Sequence, residues 1–251
     1  MPDRKNFVIL SPVWNARPWI DQCIDSVANQ TYRAIRHIWI DDASTDGTVE
    51  ILKRRIPSQN LILNSTRQFA AYNVWNALTH FVREDCLIGL LDGDDWLVDN
   101  TAVEQMADLH RQYDVIWSSH VVHENDRDGR PIVRSEGSNP LHRMRGDVRH
   151  LPWEPTHFFS FKRIHYLKIP SIDFQTDDGA WFGAMYDMAL GVPLLEMAGW
   201  ERCCYIDQAF YAYNRIRPES DDKERKELQQ QIAALIKNRS SYSHSSKEVM
   251  S

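Results

Sequence analysis

The stretch Leu90-Leu91-Asp92-Gly93-Asp94-Asp95-Trp96-Leu97 constrains this chain most tightly, because it sets three carboxylates within four residues directly behind an apolar run. Cys86 to Leu91 reads as a buried strand, and Gly93 predicts a sharp turn at its end, so the aspartates fall at a strand's carboxyl edge. Open α/β sheets bind ligands at that edge. Charges this close repel and raise one another's pKa unless a divalent ion or hydrogen-bond donors offset them, and oxygen ligands beside a phosphate suit Mg²⁺ or Mn²⁺. The plain alternative is a solvated acidic turn, since short Asp-rich turns are common.

The chain ahead of this turn alternates strand and helix. Phe7 to Leu10 reads as a strand ending at Ser11-Pro12, and Trp19, Ile20, Cys23, Ile24 and Val27 carry helical spacing. Strand Ile35 to Ile40 runs into the polar turn Asp41 to Gly47, helix Thr48 to Ile56 stops before Pro57, and Leu61 to Leu63 with Phe69 to Val82 makes a further pair. Such alternation implies right-handed crossovers and a largely parallel sheet, with Asp41-Asp42 and Asp92 to Asp95 on one rim. Beyond Trp96, helix Thr101 to His110, the β-rich run Val115 to Val122 and a hairpin turn at Asp126 to Pro131 are expected. Ser135 to Pro155 suits a surface loop or flap. A strand at His157 to Phe161, a helix at Gly179 to Leu190 and a strand at Cys204 to Tyr213 follow. Asp221 to Arg239 predicts a charged helix whose narrow apolar stripe suits docking on the domain or on a second copy as a homodimer, and Ser240 to Ser251 is expected to be disordered.

Size and composition narrow the classes. At 251 residues and 43% hydrophobic, one large α/β domain is favoured, and the net charge of -6 supplies no general field for nucleic acid. Cys23, Cys86, Cys203 and Cys204 contain no C-x-x-C pair, and with neither a signal peptide nor an apolar run of membrane-spanning length the expectation is a reduced, cytoplasmic protein without an integral membrane segment.

Four motifs then occur in order: Val8-Ile9-Leu10-Ser11-Pro12-Val13-Trp14-Asn15, Ser26-Val27-Ala28-Asn29-Gln30-Thr31-Tyr32, Asp41-Asp42-Ala43-Ser44-Thr45-Asp46-Gly47-Thr48 and Asp92-Gly93-Asp94-Asp95-Trp96. Together they resemble family-2 glycosyltransferases of the GT-A fold, the last standing where that family carries its D-x-D metal motif. Looser matches at 156–163, Thr176-Asp177-Asp178 and Tyr211-Ala212-Tyr213-Asn214 extend the resemblance over roughly residues 7 to 215. It implies a GT-A domain at 1–218, a Rossmann-like, mainly parallel sheet flanked by helices with a smaller mixed or antiparallel acceptor-side region. Residues 1–100 would form the nucleotide-sugar half, 101–218 the acceptor half, and 219–251 a helix and tail.

The family moves a sugar from a nucleotide diphosphate donor to a hydroxyl acceptor, usually with inversion. By resemblance, the donor site would comprise Pro12, Trp14, Asn15, Asp41, Asp42, Arg67, Asp92 and Asp94, with a UDP-sugar favoured because Asp42 can accept the imide N–H of uracil. Pro12 and Trp14 would wall the base pocket, Trp14 standing where the family more often has Tyr; the ordinary alternative for such a Trp is core packing. Asp41 would serve the turn. Asp94 and Asp95 would hold Mn²⁺ or Mg²⁺ at the diphosphate, and Asp92 would ligate or only shape the loop. The family's Ala-Arg-Asn appears here as Ala71-Tyr72-Asn73, so Arg67, a turn earlier, either reaches the phosphates in its place or is a solvated surface Arg. Trp181 either stacks on an acceptor sugar or packs in the core.

Asp178, or Asp177 beside it, would be the general base ahead of the Gly179 helix; the structural alternative is a helix N-cap. Two other functions share these features. A nucleotidyltransferase of related fold wants a Gly-rich basic loop after the first strand, and Ser11 to Arg17 has no glycine. A non-catalytic nucleotide-sugar module would keep the aspartates without a working base. The identity of the hydroxyl acceptor is not encoded in these motifs.

Overall fold

The computed structural model describes residues 5–136, 147–151, 153, 157–216 and 225–243. Strands β1 (Phe7–Val13), β2 (Ile35–Asp41), β3 (Leu61–Leu63) and β4 (Leu87–Leu90) pair in parallel in the order β3-β2-β1-β4. Helices α1 (Ile20–Ala28), α2 (Thr48–Arg55) and α3 (Phe69–Asn76) make the crossovers, α3 running into a π-helical turn at Ala77–Phe81. Period-2 alternation divides the apolar residues between the two faces of the sheet: Val8, Leu10, Ile38, Ile40 and Ile88 face one core, and Phe7, Ile9, Trp39 and Leu87 the other. Both faces are covered, so β1 is buried along its whole length.

The second half adds β5 (Trp96–Leu97), α4 (Ala102–Leu109), β6 (Val115–Asn125), β7 (Pro131–Glu136), β8 (His157–Lys162), the short α5 (Arg163–Tyr166), α6 (Tyr186–Ala198), β9 (Cys203–Asn214) and α7 (Lys226–Asn238). β8 joins β4 antiparallel and β6 joins β8 antiparallel, while β9 runs parallel to β6 and antiparallel to β5. The sheet is therefore parallel in the first half of the chain and mixed in the second, as expected.

Several sequence expectations need correction. β1 continues through Pro12 to Val13, because β4 pairs only as far as Leu10; the Pro12 nitrogen therefore faces an edge where the ladder has ended, and its missing N–H costs no strand pairing. The helix expected from Gly179 begins at Tyr186. Residues Thr176 to Ala180 instead close a tight turn, with Thr176 N–H donating to Ala180 O (2.8 Å) and Gly179 at φ 87°, and Gln175 bridges Trp181 in antiparallel fashion. The loop expected at 135–155 is anchored where it is described. Arg149, 2% exposed, pairs with Glu196 (Nε to Oε1, 2.7 Å) and donates to the carbonyl of Ile236 (2.6 Å), while Trp153 donates to Asp187. The apolar stripe of α7 docks on the domain, one of its two expected placements, with Ile232 and Ile236 buried in the core beside α6. Tyr242, expected in a disordered tail, bonds Asp173 and Glu196; the rest of that expectation, from 244 onward, lies outside the described residues.

Candidate active site

The carboxyl ends of β1, β2 and β4 meet at a single open pocket. Seven of the expected residues line it: Pro12, Trp14, Asp42, Arg67, Asp92, Asp94 and Asp95. Chain separation in sequence is thus erased by the topology, since parallel strands deliver their C-terminal turns to one rim. Asn15, Asp41, Asp177 and Asp178 are not in the lining. Asn15 and Asp41 build the turn behind it: Asn15 accepts from Thr45 N–H (2.8 Å), and Asp41 accepts from Ser44 N–H (3.0 Å) as an Asx-type brace. Asp177 and Asp178 are exposed on the 176–180 turn, where Thr176 Oγ1 donates to Asp178 and holds its carboxyl below the usual range. Neither caps a helix, because none starts there.

Gly93 shapes the acidic turn through lack of volume. A Cβ there would stand 2.5 Å from Val13 Cβ, so only glycine lets the turn lie against the end of β1, where Gly93 N–H donates to Pro12 O (3.0 Å). The three aspartates differ in their surroundings. Asp95 is 2% exposed and accepts from Tyr211 Oη (2.5 Å) and from the backbone N–H of Asn214 (2.7 Å). Burial, followed by the charges of Asp94 and Asp92, pushes its pKa well up. Asp92 accepts from the phenol of the half-buried Tyr186 (2.6 Å), whose own pKa is raised by desolvation and then by Asp92. Asp94 lines the pocket, and its carbonyl accepts from Asn214 Nδ2 (3.1 Å).

At the other end, Asp42 braces the start of α3: its oxygens accept from Gln68 N–H (2.7 Å), Phe69 N–H (2.9 Å) and Asn64 Nδ2 (3.0 Å). With about four acceptor sites on a carboxylate, one remains for a ligand. Arg67 is no stray surface residue. Its guanidinium lies 3.5 Å over the Trp14 ring, and its Nε is 3.9 Å from Asp42. Four non-glycine residues with left-handed backbone lie in or next to the pocket lining: Asn15 (φ 49°), Ala43 (φ 62°), Phe69 (φ 66°) at the start of α3 and Met185 (φ 58°) just before α6. Such outliers cost about 1–3 kcal/mol each and cluster at functional sites.

Sequence reasoning missed Phe69, Tyr186, Tyr211, Asn214 and Arg225 as site residues. Arg225, next to α7, donates to Gly183 O (2.7 Å) and lies 4.9 Å from the Phe69 ring, so the C-terminal helix reaches the pocket wall. The Tyr211-Ala212-Tyr213-Asn214 match was the one available signal for the partners of Asp95.

Among the described residues no group of three or more His, Cys, Asp or Glu forms a ready metal cage. Mg²⁺ and similar ions are commonly held by one or two carboxylates together with substrate phosphates, and two bonds on Asp95 leave about half its acceptor sites, so Asp94 and Asp95 fit an ion that arrives with a diphosphate.

A parallel nucleotide-type sheet with an acidic turn at its carboxyl edge and a mixed extension beyond defines a GT-A-type α/β protein. The chain belongs to glycosyltransferase family 2: the model described as Glycosyl transferase family 2 matches residues 8–183. EpsE of Bacillus subtilis, named as a glycosyltransferase, is 30% identical over 120 residues, 45% of this chain and 42% of that protein. The chain thus spans less than half of that relative. Among solved structures, S. aureus TarS residues 1–349 with UDP-GlcNAc superimposes with TM-score 0.63 at 17% identity, covering 97% of this chain and 69% of that one. The mannosyltransferase PcManGT of Pyrobaculum calidifontis, with GDP-Man and Mn²⁺, gives TM-score 0.60 at 16% identity, covering 96% and 67%. No helix among the described residues is long and apolar enough to cross a membrane.

Proposed function

We propose that this protein transfers a sugar from a nucleoside diphosphate donor, a UDP-sugar being favoured, to a hydroxyl acceptor with inversion in a single displacement. The observation that carries the reading is one pocket with an aromatic and imide-accepting end (Pro12, Trp14, Asp42) and an acidic end (Asp92, Asp94, Asp95). Proteins of similar fold have been solved in complex with UDP-GlcNAc and with GDP-Man and Mn²⁺, which supports a nucleotide-sugar donor and a divalent ion. Trp14 offers the base a stacking face once Arg67 swings toward the phosphates, and Asp42 keeps an acceptor site for the uracil N–H. Asp94 and Asp95 would hold Mn²⁺ or Mg²⁺. Such an ion supplies charge neutralisation for the leaving diphosphate. Tyr186, Tyr211 and Asn214 hold the acidic turn rigid, so little reorganisation is needed during transfer.

Asp178, with Asp177 beside it, is the base of this reading, carried on the hairpin that leads into Gly183 and Ala184 of the pocket wall. Asp178→Asn should slow transfer by roughly 10²- to 10⁴-fold with donor binding and melting temperature retained; transfer near the wild-type rate would place the base elsewhere. The donor is tested by a panel of UDP-, GDP-, CDP- and dTDP-sugars scored for slow donor hydrolysis with Mn²⁺. UDP-sugar turnover that chelator abolishes is expected, and turnover of none of the panel would overturn the reading.

A further inference from the structure

Beside the pocket, Tyr72 and Trp75 sit three residues apart on α3, and Trp181 meets them from the far arm of the 175–181 hairpin. Ring centroids are 5.1 Å apart for Tyr72 and Trp181 and 4.9 Å for Trp75 and Trp181, and His80 stands edge-on to Trp75 at 5.5 Å. All three large rings are only partly buried, while Ala71 and Val74 of the same helix fill the core beneath. Core filling therefore does not require their outer surfaces, which stay in contact with water.

The hairpin that brings Trp181 to the cluster also carries two carboxylates. Asp177 and Asp178 are exposed at the tip of the hairpin that carries Trp181. Aromatic faces next to carboxylates are the chemistry that recognises a sugar ring: polarised C–H groups lie on the negative ring face, and hydroxyls donate to the carboxylates. A lipid tail or apolar peptide would meet the same carboxylates at a desolvation cost. Platform and pocket also share both supporting elements. Ala70 and Asn73 of α3 line the pocket, as do Gly183 and Ala184 just beyond Trp181.

We propose that Tyr72, Trp75 and Trp181 form a carbohydrate-binding platform that seats an acceptor glycan alongside the donor pocket. The word acceptor rests on the transferase reading above; the binding of a sugar ring does not.

The test titrates the full chain, without nucleotide, with pentasaccharides of β-1,4-glucose, β-1,4-N-acetylglucosamine, α-1,4-glucose and α-1,6-mannose, using saturation-transfer NMR and tryptophan fluorescence. At least one should bind, and Trp181→Ala and Tyr72→Ala should each weaken it by roughly 2- to 12-fold, the worth of an aromatic stacking contact, with UDP binding unchanged. Trp181→Leu, which keeps more volume, serves if the alanine variant does not fold. No binding by the wild type at about 10 mM sugar, the weak end of specific recognition, or equal binding by the variants, overturns the platform. Loss of UDP binding in the wild type with Trp181-dependent sugar binding would instead overturn the donor assignment and leave the platform standing.

Discussion

Asp95 is the position where removal of charge and removal of hydrogen bonds separate most cleanly. Its two oxygens satisfy Tyr211 Oη–H and the Asn214 N–H, both buried. Asp95→Ala orphans these two donors, and at about 1–3 kcal/mol for each buried unsatisfied group the fold should lose roughly 2–6 kcal/mol. Asp95→Asn keeps a carbonyl for Asn214 but sets an amide N–H against Tyr211 Oη, which already accepts from Asp92 N–H (3.3 Å) and whose own O–H loses its acceptor; in return it removes a carboxylate that burial and two neighbouring aspartates disfavour. Its stability without metal should fall by less than that of Ala, since it orphans one buried donor, at about 1–3 kcal/mol, where Ala orphans two, and it sheds a desolvated charge. Urea unfolding in the presence of chelator measures both. An Ala variant as stable as the wild type would refute the bracing role of Asp95, and an Asn variant as unstable as Ala would refute the claim that its charge is a burden without a cation. Adding Mn²⁺ and UDP should stabilise the wild type and have little effect on Asp95→Asn.

Gly93→Ala should wedge the acidic turn from β1, because the new Cβ meets Val13 Cβ at 2.5 Å; overpacking of this kind costs about 1–3 kcal/mol, and calorimetry should show UDP affinity falling with it. Asp42→Ala removes the acceptor of Gln68 and Phe69 N–H, so melting temperature and UDP affinity should fall together; UDP affinity that is unchanged would remove Asp42 from the base pocket. Acid should destabilise the fold through buried neutral histidines. His110, 3% exposed between Tyr113 O and Ser160 Oγ, is depressed to about 4 by burial, so its contribution is full above the unfolded value near 6.5 and is lost as pH falls toward 4. Going from pH 7 to 5 should cost about 2 kcal/mol at this site, and a His110→Gln variant should show a shallower slope in urea unfolding across that range.

Much of the first half was legible because each element is long enough for its period to show: alternation splits Val8 and Leu10 from Phe7 and Ile9, and Cys23, Ile24 and Val27 mark the buried stripe of α1. Legibility fell where backbone conformation overrides pattern. Phe182, Met185, Tyr186 and Ala189 have helical spacing, yet the helix cannot extend upstream of a left-handed Met185, and the residues ahead of it form a hairpin. The aspartates of the site were visible as a local cluster. Their partners were not, because Tyr186, Tyr211 and Asn214 lie more than ninety residues away and reach Asp92 and Asp95 only through β9 and α6. Arg67 was left between two roles because nothing local shows that its guanidinium finds the Trp14 ring.

The central claim, a nucleoside diphosphate and a divalent ion sharing the acidic end of one pocket, is tested most directly by thermal unfolding with Mn²⁺, UDP, both and neither. The account predicts a joint stabilisation that exceeds the sum of the separate shifts, since each ligand completes the other's coordination. UDP stabilisation that is the same with and without chelator would contradict it.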